Sequence, residues 1–187
     1  PKMSYNPAYT IYYHGACKGF TGRATHPMML LAHTGRDYTV VTPDQYTGTA
    51  AFAPPFVKTP TGATISQTPA IMIALGQAVG LSPADPIKKA KAIQVELDAA
   101  DIMVEAKDFK EKPERAAKWI GHCEALLAGG YAAGDALSHA DFSLYVVLSM
   151  MPGLESPNIK AWLAKMEETK GVKAIKALGL PVMPPGM

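Results

Sequence analysis

The sequence predicts a small α/β domain followed by an all-helical domain. Segments typical of strands and of helices alternate in the first part of the chain, a short proline-containing linker follows, and the remainder has the character of helices alone. With 187 residues, of which 48% are hydrophobic, the chain can bury a sizeable core in one large or two small domains. We place the boundary near Ser82, which predicts domains at residues 1–81 and 82–187.

The first domain is predicted to have the element order β-α-β-β-β-α. Its strand segments are rich in β-branched and aromatic residues, and its helix segments end at glycines. The first strand, helix and second strand form a βαβ unit, which implies a parallel strand pair, whereas the turn-rich sequence "KTPTGA" favours a hairpin after it. The predicted strands are 9–13, 38–41, 56–57 and 64–65, and the predicted helices are 27–34 and 69–79.

The second domain is predicted to contain helices only. It follows the linker "LSPADP", whose prolines interrupt helices, and Pro86 suits the first turn of the helix after it. No segment beyond the linker has a comparable strand pattern. The predicted helices are 87–109, 113–128, 138–151, 157–168 and 171–178.

Composition and charge argue against several classes of function. The 18 basic and 16 acidic residues give a net charge of +2 and are spread along the chain, so we expect no nucleic-acid partner and no membrane partner. No apolar run approaches the ~20 residues that span a bilayer, and the N-terminus has no signal-sequence pattern, which predicts a cytoplasmic protein. Because Cys17 and Cys123 form no CxxC motif and the five histidines lack zinc-site spacing, we expect no metal.

The sequence "TISQTPAIM" at 64–72 places two polar residues where a strand runs into a helix. Thr68 is predicted to be the helix N-cap, and Pro69 to occupy the first helical position, where its missing N–H costs nothing. On its own this pattern favours a capped helix. A helix N-terminus also carries free N–H groups and a partial positive charge, so Gln67 and Thr68 are alternatively candidates for binding a carboxylate.

A Pro54-Pro55 pair directly precedes the third strand. A cis peptide bond before proline costs only ~0.5–1 kcal/mol, and it would present the neighbouring backbone to a ligand as a free sheet edge. An ordinary trans Pro-Pro turn is the alternative. The pair is therefore a second candidate for contact with a ligand.

Taken in order along the chain, these features resemble the soluble glutathione transferases. The shared features are a β-α-β start, a proline entering the third strand, a Gln-Thr pair opening the next helix, a short linker and an all-helical domain. The sequence "GDALSHADFSLYVVL" adds Gly134-Asp135 and a capping box, formed by Ser138 and Asp141, before the apolar helix 142–148. The resemblance covers residues 8–180 approximately, and it implies a thioredoxin-like domain, a helical bundle and a homodimer.

The resemblance also implies a chemistry, in which glutathione is the cosubstrate and no metal takes part. Tyr13, at the end of the first strand, occupies the position of the tyrosine that stabilises the glutathione thiolate for attack on a small apolar electrophile. The further glutathione-binding residues that the resemblance implies are Arg23, Pro54, Pro55, Gln67, Thr68 and Asp101.

These residues are expected to hold different parts of glutathione. Arg23, in "GRAT", resembles the arginine that contacts a glutathione carboxylate, and Gln67 and Thr68 are implied to hold the γ-glutamyl carboxylate. Asp101 lies on the long helix in an acidic stripe, and it resembles the aspartate that reaches the γ-glutamyl amino group across the dimer interface. A solvated helix face is the alternative interpretation of that stripe.

Departures from the family pattern keep other functions open. The loop "HGACKGFTG" after Tyr13 is longer than the family pattern, and the position of Cys17 next to Lys18 favours a lowered thiol pKa; a bystander thiol in the loop is the alternative. A glutathione-dependent thiol transferase or reductase that uses Cys17 is therefore an alternative. A non-catalytic glutathione-binding or structural protein with this fold is another.

Two departures concern how glutathione and the electrophile are held. The segment 42–53 is too short for the usual second helix. If Pro55 is the cis proline, Pro54 has no N–H to donate to the cysteine of glutathione; if Pro54 is the cis proline instead, Ala53 keeps its N–H and both expected backbone bonds can form. The electrophile site is expected to involve the loop 13–21, the long helix and the methionine- and proline-rich tail "LPVMPPGM".

Overall fold

The computed structural model describes residues 8–151 and 154–183. By their contacts these residues divide into two compact units. The first unit contains the described residues up to Ile71 together with those from Lys170 onward, and the helical unit is Met72–Thr169. The first unit therefore contains both ends of the described chain.

A four-stranded sheet forms the centre of the first unit. Its strands are β1 (Tyr9–Tyr12), β2 (Tyr38–Val41), β3 (Phe56–Lys58) and β4 (Thr64–Ser66). Strand β1 pairs in parallel with β2 and antiparallel with β3, and β3 pairs antiparallel with β4, which gives the order β2-β1-β3-β4. The predicted parallel pair and the predicted hairpin are both confirmed.

Each of the predicted helices is present, with ends shifted by at most about one turn. The helices are α1 (Thr25–His33), α2 (Thr68–Ala78), α3 (Pro86–Glu105), α4 (Pro113–Leu126), α5 (His139–Leu148), α6 (Pro157–Glu167) and α7 (Lys170–Lys176). The largest shift is at α3, where the chain tightens after Glu105 into a 3₁₀ turn over Ala106–Asp108. Within residues 8–151 and 154–183, none of these helices has both the length and the apolar character needed to cross a bilayer.

The last helix packs inside the first unit. Helix α7 lies on α1, and a Cβ at Gly171 would collide with the Met29 carbonyl and the His33 side chain. Glycine at this position therefore lets the two helices approach closely. The predicted domains, 1–81 and 82–187, stay a prediction, because a domain is defined by its ability to fold alone and not by contacts only.

Helix α5 is the buried centre of the helical unit. All of its residues from His139 to Leu148 are buried, and α3 packs along it. A buried hydrogen bond joins the two helices, since His139 Nδ1 lies 2.7 Å from Glu96 Oε1 and each side chain is only 1% exposed. Gly76 makes room for this histidine, because a Cβ there would collide with the imidazole ring.

The predicted capping box at the start of α5 is present, and it is part of a larger buried contact. Asp141 Oδ2 accepts hydrogen bonds from the Ser138 N–H at 2.8 Å and from the Ser138 hydroxyl at 3.0 Å. Asp141 Oδ1 accepts from the Ala132 N–H at 2.8 Å and from the Trp162 Nε1–H at 3.0 Å. One fully buried carboxylate thus ties the helix start to the preceding loop and to α6.

Candidate functional site

Tyr13 follows β1 and points its hydroxyl at the start of the next helical segment. The side chain is 7% exposed, and its Oη accepts a hydrogen bond from the Arg23 N–H at 3.1 Å. Gly22 lies against the phenol, because a Cβ at this residue would collide with the hydroxyl. Among the residues that the structure describes, no acceptor takes the proton of the Tyr13 hydroxyl.

The surroundings of Tyr13 leave it protonated and able to donate. Burial raises the pKa of the Tyr13 phenol, and the Arg23 N–H acts in the opposite direction. A hydroxyl that accepts one hydrogen bond and keeps its own proton is polarised toward donation. Such a group can stabilise an anion, a thiolate included, that comes within hydrogen-bond distance of it.

The loop after Tyr13 is a left-handed turn that buries Cys17. Gly15, Ala16 and Cys17 have successive φ angles of 54°, 50° and 57°, a region that residues other than glycine rarely adopt. Cys17 is 5% exposed, and burial raises the pKa of its thiol to about 11. The predicted lowering of this pKa is therefore wrong: the neighbouring Lys18 is outweighed by the removal of the thiol from water.

Arg23 and Thr21 present different groups at this site. The Arg23 side chain is exposed, and within the described part of the chain it forms no ion pair, so the guanidinium is available to a carboxylate. Thr21 is fully buried, and its hydroxyl lies 2.6 Å from Thr25 Oγ1 and 3.4 Å from the Pro181 carbonyl oxygen. The Thr21 hydroxyl is therefore occupied by protein groups.

The start of α2 differs from the prediction by one residue. The Gln67 carbonyl accepts the first helical hydrogen bond, from the Ile71 N–H at 2.9 Å, so Gln67 takes the N-cap position and Thr68 is the first helical residue. Gln67 reaches this geometry with a φ of 69°. Thr68 is 9% exposed, and its hydroxyl has no hydrogen-bond partner among the described residues.

An unpaired buried hydroxyl beside free helix N–H groups is a place where an anion binds well. A buried donor without a partner costs roughly 1–3 kcal/mol, and this cost is removed when a ligand supplies the acceptor. The N-terminus of α2 contributes its partial positive charge to the same place. The predicted carboxylate site at Gln67 and Thr68 thus stays a prediction, now with a specific unpaired atom, Thr68 Oγ1, to carry it.

The peptide bond between Pro54 and Pro55 is cis. Pro54 is half-buried, Pro55 is buried, and β3 begins at the next residue. Because Pro54 has no N–H, a ligand that lies along this segment meets a carbonyl acceptor but no donor from Pro54. Residues 42–53, all of which the structure describes, contain a 3₁₀ turn at Pro43–Gln45 and no α-helix.

Asp101 lies in the helical unit on an exposed face of α3. It is flanked by Leu97 and Val104, which are 53% and 55% exposed, and Ile87 is 68% exposed earlier on the same helix. Helical spacing places these residues on one side of α3. Within the described ranges, no three His, Cys, Asp or Glu side chains gather in an arrangement that fits a metal ion.

The sequence did not indicate the role of Gly22, and it indicated the tail for the electrophile site without the backbone contacts of Pro181 and Val182. Gly22 stands just before Arg23 in "GRAT" and has a φ of 48°, a left-handed conformation that favours glycine. The glycine itself is the only sign of this backbone geometry in the sequence. The Pro181 and Val182 carbonyls act on this loop through the backbone, so no pattern of side chains could indicate them.

Comparisons with known proteins support the resemblance. Residues 92–176 match the family model described as glutathione S-transferase, C-terminal domain. No curated protein sequence matches the chain significantly. Solved structures with the same fold include a glutathione S-transferase of Caenorhabditis elegans, with 18% identity, a TM-score of 0.73 and coverage of 91% of this chain and 98% of that chain.

Two further structures extend the comparison. Prostaglandin synthase D of Nilaparvata lugens has 18% identity and a TM-score of 0.70, covering 91% of this chain and 98% of that chain. A glutathione transferase homologue from Sulfitobacter, solved with bound glutathione, has 18% identity and a TM-score of 0.70, covering 93% of this chain and 99% of that chain. The predicted fold class, a thioredoxin-like domain with a helical domain, is confirmed.

Proposed function

We propose that the chain is a glutathione transferase, because residues 92–176 match the family model described as glutathione S-transferase, C-terminal domain, and because a solved glutathione S-transferase has the same fold. It activates the thiol of glutathione as a thiolate, which attacks a small apolar electrophile. Glutathione is the cosubstrate. The single observation that carries the proposal is the Tyr13 hydroxyl, which accepts from the Arg23 N–H and keeps its own proton unshared among the described residues.

The mechanism is thiolate stabilisation. A free thiol with a pKa of about 8.5 is ionised only to a few per cent at pH 7, and lowering that pKa by ~2 units corresponds to ~2.7 kcal/mol of preference for the thiolate. The Tyr13 O–H donates to the thiolate sulfur, while the Arg23 N–H stabilises the oxygen that donates. Binding both substrates side by side supplies the rest of the rate through proximity.

The glutathione carboxylates are held by the start of α2 and by Arg23. Thr68 Oγ1 donates to the γ-glutamyl carboxylate, next to Gln67 and the positive end of the helix. The exposed Arg23 guanidinium pairs with a carboxylate. The backbone at Pro54 and Pro55 contacts the cysteine of glutathione through a carbonyl acceptor.

The proposal is tested first on the wild-type protein. Retention on immobilised glutathione, ultraviolet absorbance of the bound thiolate as a function of pH, and conjugation to a generic aromatic electrophile are the three measurements. A glutathione transferase gives all three signals. Binding without a thiolate signal would contradict the catalytic proposal and favour a non-catalytic glutathione-binding protein.

Thr68→Val should weaken glutathione binding about 10- to 100-fold without lowering the melting temperature. The substitution removes a hydrogen bond to a charged group, worth about 1.5–3 kcal/mol, while the free protein loses only a hydroxyl that has no partner among the described residues. Titration calorimetry with glutathione and a thermal melt measure the two effects.

Thr34→Val is the matched control for this substitution. The Thr34 hydroxyl already bonds to the Leu30 and Leu31 carbonyls at 3.0 and 3.1 Å, so its removal should lower the melting temperature slightly and leave glutathione affinity unchanged. Equal glutathione affinity for Thr68→Val and the wild type would refute the assignment of Thr68.

We further propose that the protein is a homodimer that buries the exposed face of α3. Three large apolar side chains on one helix, Ile87, Leu97 and Val104, are each more than half exposed, which is costly unless another surface covers them. Asp101 lies on the same face and would reach the γ-glutamyl amino group of glutathione bound to the second copy. The occupant we propose for this face is therefore a second copy of the chain.

Leu97→Glu should convert the dimer to a monomer and weaken glutathione binding. A charge placed in the centre of an apolar interface is desolvated without a partner, which costs several kcal/mol. Light scattering after gel filtration measures the mass, and calorimetry the affinity. Leu178→Glu, at an apolar residue that is 46% exposed in the first unit, is the control and should change neither quantity. A wild-type protein that is monomeric at assay concentration would contradict the proposal.

The reaction through Cys17 is the weaker alternative. Its thiol is 5% exposed and its pKa is raised to about 11, so at neutral pH it is a buried, protonated thiol and a poor nucleophile.

We propose the cytoplasm as the location, since glutathione chemistry of this kind requires a reducing compartment.

A further inference from the structure

The segment that follows α7 returns to the loop that carries Gly22. We call residues 180–183 the tail segment. The Pro181 carbonyl accepts a hydrogen bond from the Thr21 N–H at 2.9 Å, and the Val182 carbonyl accepts one from the Gly22 N–H at 2.7 Å. Two successive carbonyls of the tail segment thus hold two successive N–H groups of the loop.

Hydroxyl groups reinforce the same contact. Thr21 is fully buried, and its Oγ1 lies 3.4 Å from the Pro181 carbonyl oxygen. Thr25 Oγ1 lies 2.6 Å from Thr21 Oγ1 and 2.6 Å from the Gly22 carbonyl oxygen. The backbone of Thr21 and Gly22 is therefore fixed by the tail segment and by the first turn of α1. Because Thr21 is fully buried, water does not compete for its hydrogen bonds.

The next N–H along the chain, that of Arg23, donates a hydrogen bond to the Tyr13 hydroxyl oxygen. The N–H groups of Thr21 and Gly22 go to the tail segment, and the N–H of Arg23 goes to Tyr13 Oη at 3.1 Å. Gly22 links the two contacts, with a φ of 48° and no space for a Cβ beside the phenol. A change in the Gly22 backbone would therefore turn the Arg23 N–H away from Tyr13, because the three N–H groups belong to consecutive peptides.

We propose that the tail segment is a positioning element for Tyr13: the Pro181 and Val182 carbonyls hold the loop so that the Arg23 N–H stays on the Tyr13 oxygen. The tail segment does not touch the reacting atoms in this role. It keeps the Arg23 N–H on the Tyr13 hydroxyl, which donates to the sulfur of glutathione. The catalytic consequence of the inference therefore rests on the proposed function. Its structural part, the fixed Arg23 N–H, does not depend on glutathione.

The test shifts the spacing of the two carbonyls without removing any side chain. One glycine is inserted between Pro181 and Val182, and the rest of the chain is left unchanged. The two carbonyls can then no longer meet the adjacent N–H groups of Thr21 and Gly22 together. The matched control has one glycine inserted after Met183, which gives the same length and composition and leaves the Pro181-Val182 spacing intact. Circular dichroism and a thermal melt verify that both variants are folded.

The first measurement is hydrogen exchange of the Arg23 amide in the protein without glutathione. Exchange should become about tenfold faster in the first insertion variant and stay at the wild-type rate in the control, because the amide remains bonded only while the loop is held. Equal exchange rates in the two insertion variants would overturn the proposal, whether or not the protein binds glutathione.

The second measurement is the pKa of the glutathione thiol in the bound state, followed by thiolate absorbance. The thiol pKa should rise by about one unit in the first insertion variant. At a pH below both the wild-type and the variant pKa, conjugation should then fall about tenfold, whereas the affinity for glutathione should stay unchanged. An unchanged thiol pKa with faster Arg23 exchange would overturn the catalytic consequence. A wild-type protein that does not ionise glutathione would overturn the proposed function instead, and amide exchange would still decide whether the tail segment holds the loop.

Discussion

Tyr13→Phe should reduce conjugation of glutathione about 25-fold at pH 7 and about 100-fold well below pH 6.5, while leaving glutathione affinity almost unchanged. The substitution removes only the hydroxyl, and the ring keeps its edge-on contacts with His14 and Phe20 at centroid distances of 5.1 and 5.9 Å. Loss of the donor returns the thiol pKa from about 6.5 toward 8.5, and a shift of two units is a factor of ~100 in thiolate at a pH below both values.

The pH profile gives this prediction a sign as well as a size. Wild-type kcat/KM should rise tenfold per pH unit up to about pH 6.5 and then level off, whereas the Tyr13→Phe profile should continue to rise to about pH 8.5. The two rates should therefore converge at alkaline pH. Parallel profiles separated by a constant factor would show that Tyr13 acts in some other way.

Cys17→Ser is the control that separates the two candidate groups. Cys17 is 5% exposed, so the substitution can lower the melting temperature by burying a hydroxyl, but it should not shift the pH profile of conjugation. Loss of the reaction in Cys17→Ser, with Tyr13→Phe fully active, would refute thiolate stabilisation by Tyr13 and favour chemistry through the cysteine thiol.

Asp141→Ala should destabilise the protein by at least ~3 kcal/mol, because it leaves several buried donors without an acceptor at once. The donors are the Ala132 N–H, the Ser138 N–H and hydroxyl, and the Trp162 indole N–H. For a chain of this size such a loss lowers the melting temperature by about 10 °C. Thermal unfolding followed by circular dichroism measures it.

Two further variants show whether the hydrogen bonds carry this effect. Asp141→Asn keeps one carbonyl acceptor and should lose less stability than Asp141→Ala. Asp135 lies in the same loop, and its side chain is 77% exposed and pairs with Lys88 at 2.6 Å. Asp135→Ala should therefore leave the melting temperature nearly unchanged. Equal losses in Asp135→Ala and Asp141→Ala would contradict the proposed importance of the buried carboxylate.

Sequence reasoning predicted the elements well because each has a local cause. The strands "YTIYY" and "YTVV" are β-branched and aromatic, and Pro86 and Pro113 stand at the first position of the helices they begin. The cap at α2 was misplaced by one residue. Glutamine has a weaker N-cap preference than threonine, and a φ of 69° at Gln67 cannot be read from residue type.

The site was predicted less completely because its geometry depends on burial and on backbone contacts. Lys18 suggested a lowered pKa for Cys17, but a left-handed turn buries the thiol, and desolvation raises the pKa instead. Tyr13 was identified by resemblance alone, and nothing local in the sequence indicates that the Arg23 N–H would reach its oxygen.

The close packing of α7 on α1 has a consequence for the order in which the protein folds. Gly171 meets Met29 across about three quarters of the chain, so the first unit cannot complete its core until α7 has left the ribosome. Contacts of such high sequence separation form late and slow the folding of the unit that contains them. Until then the surface of α1 that Gly171 later covers stays open to solvent and to chaperones, although the sheet beside it was synthesised first.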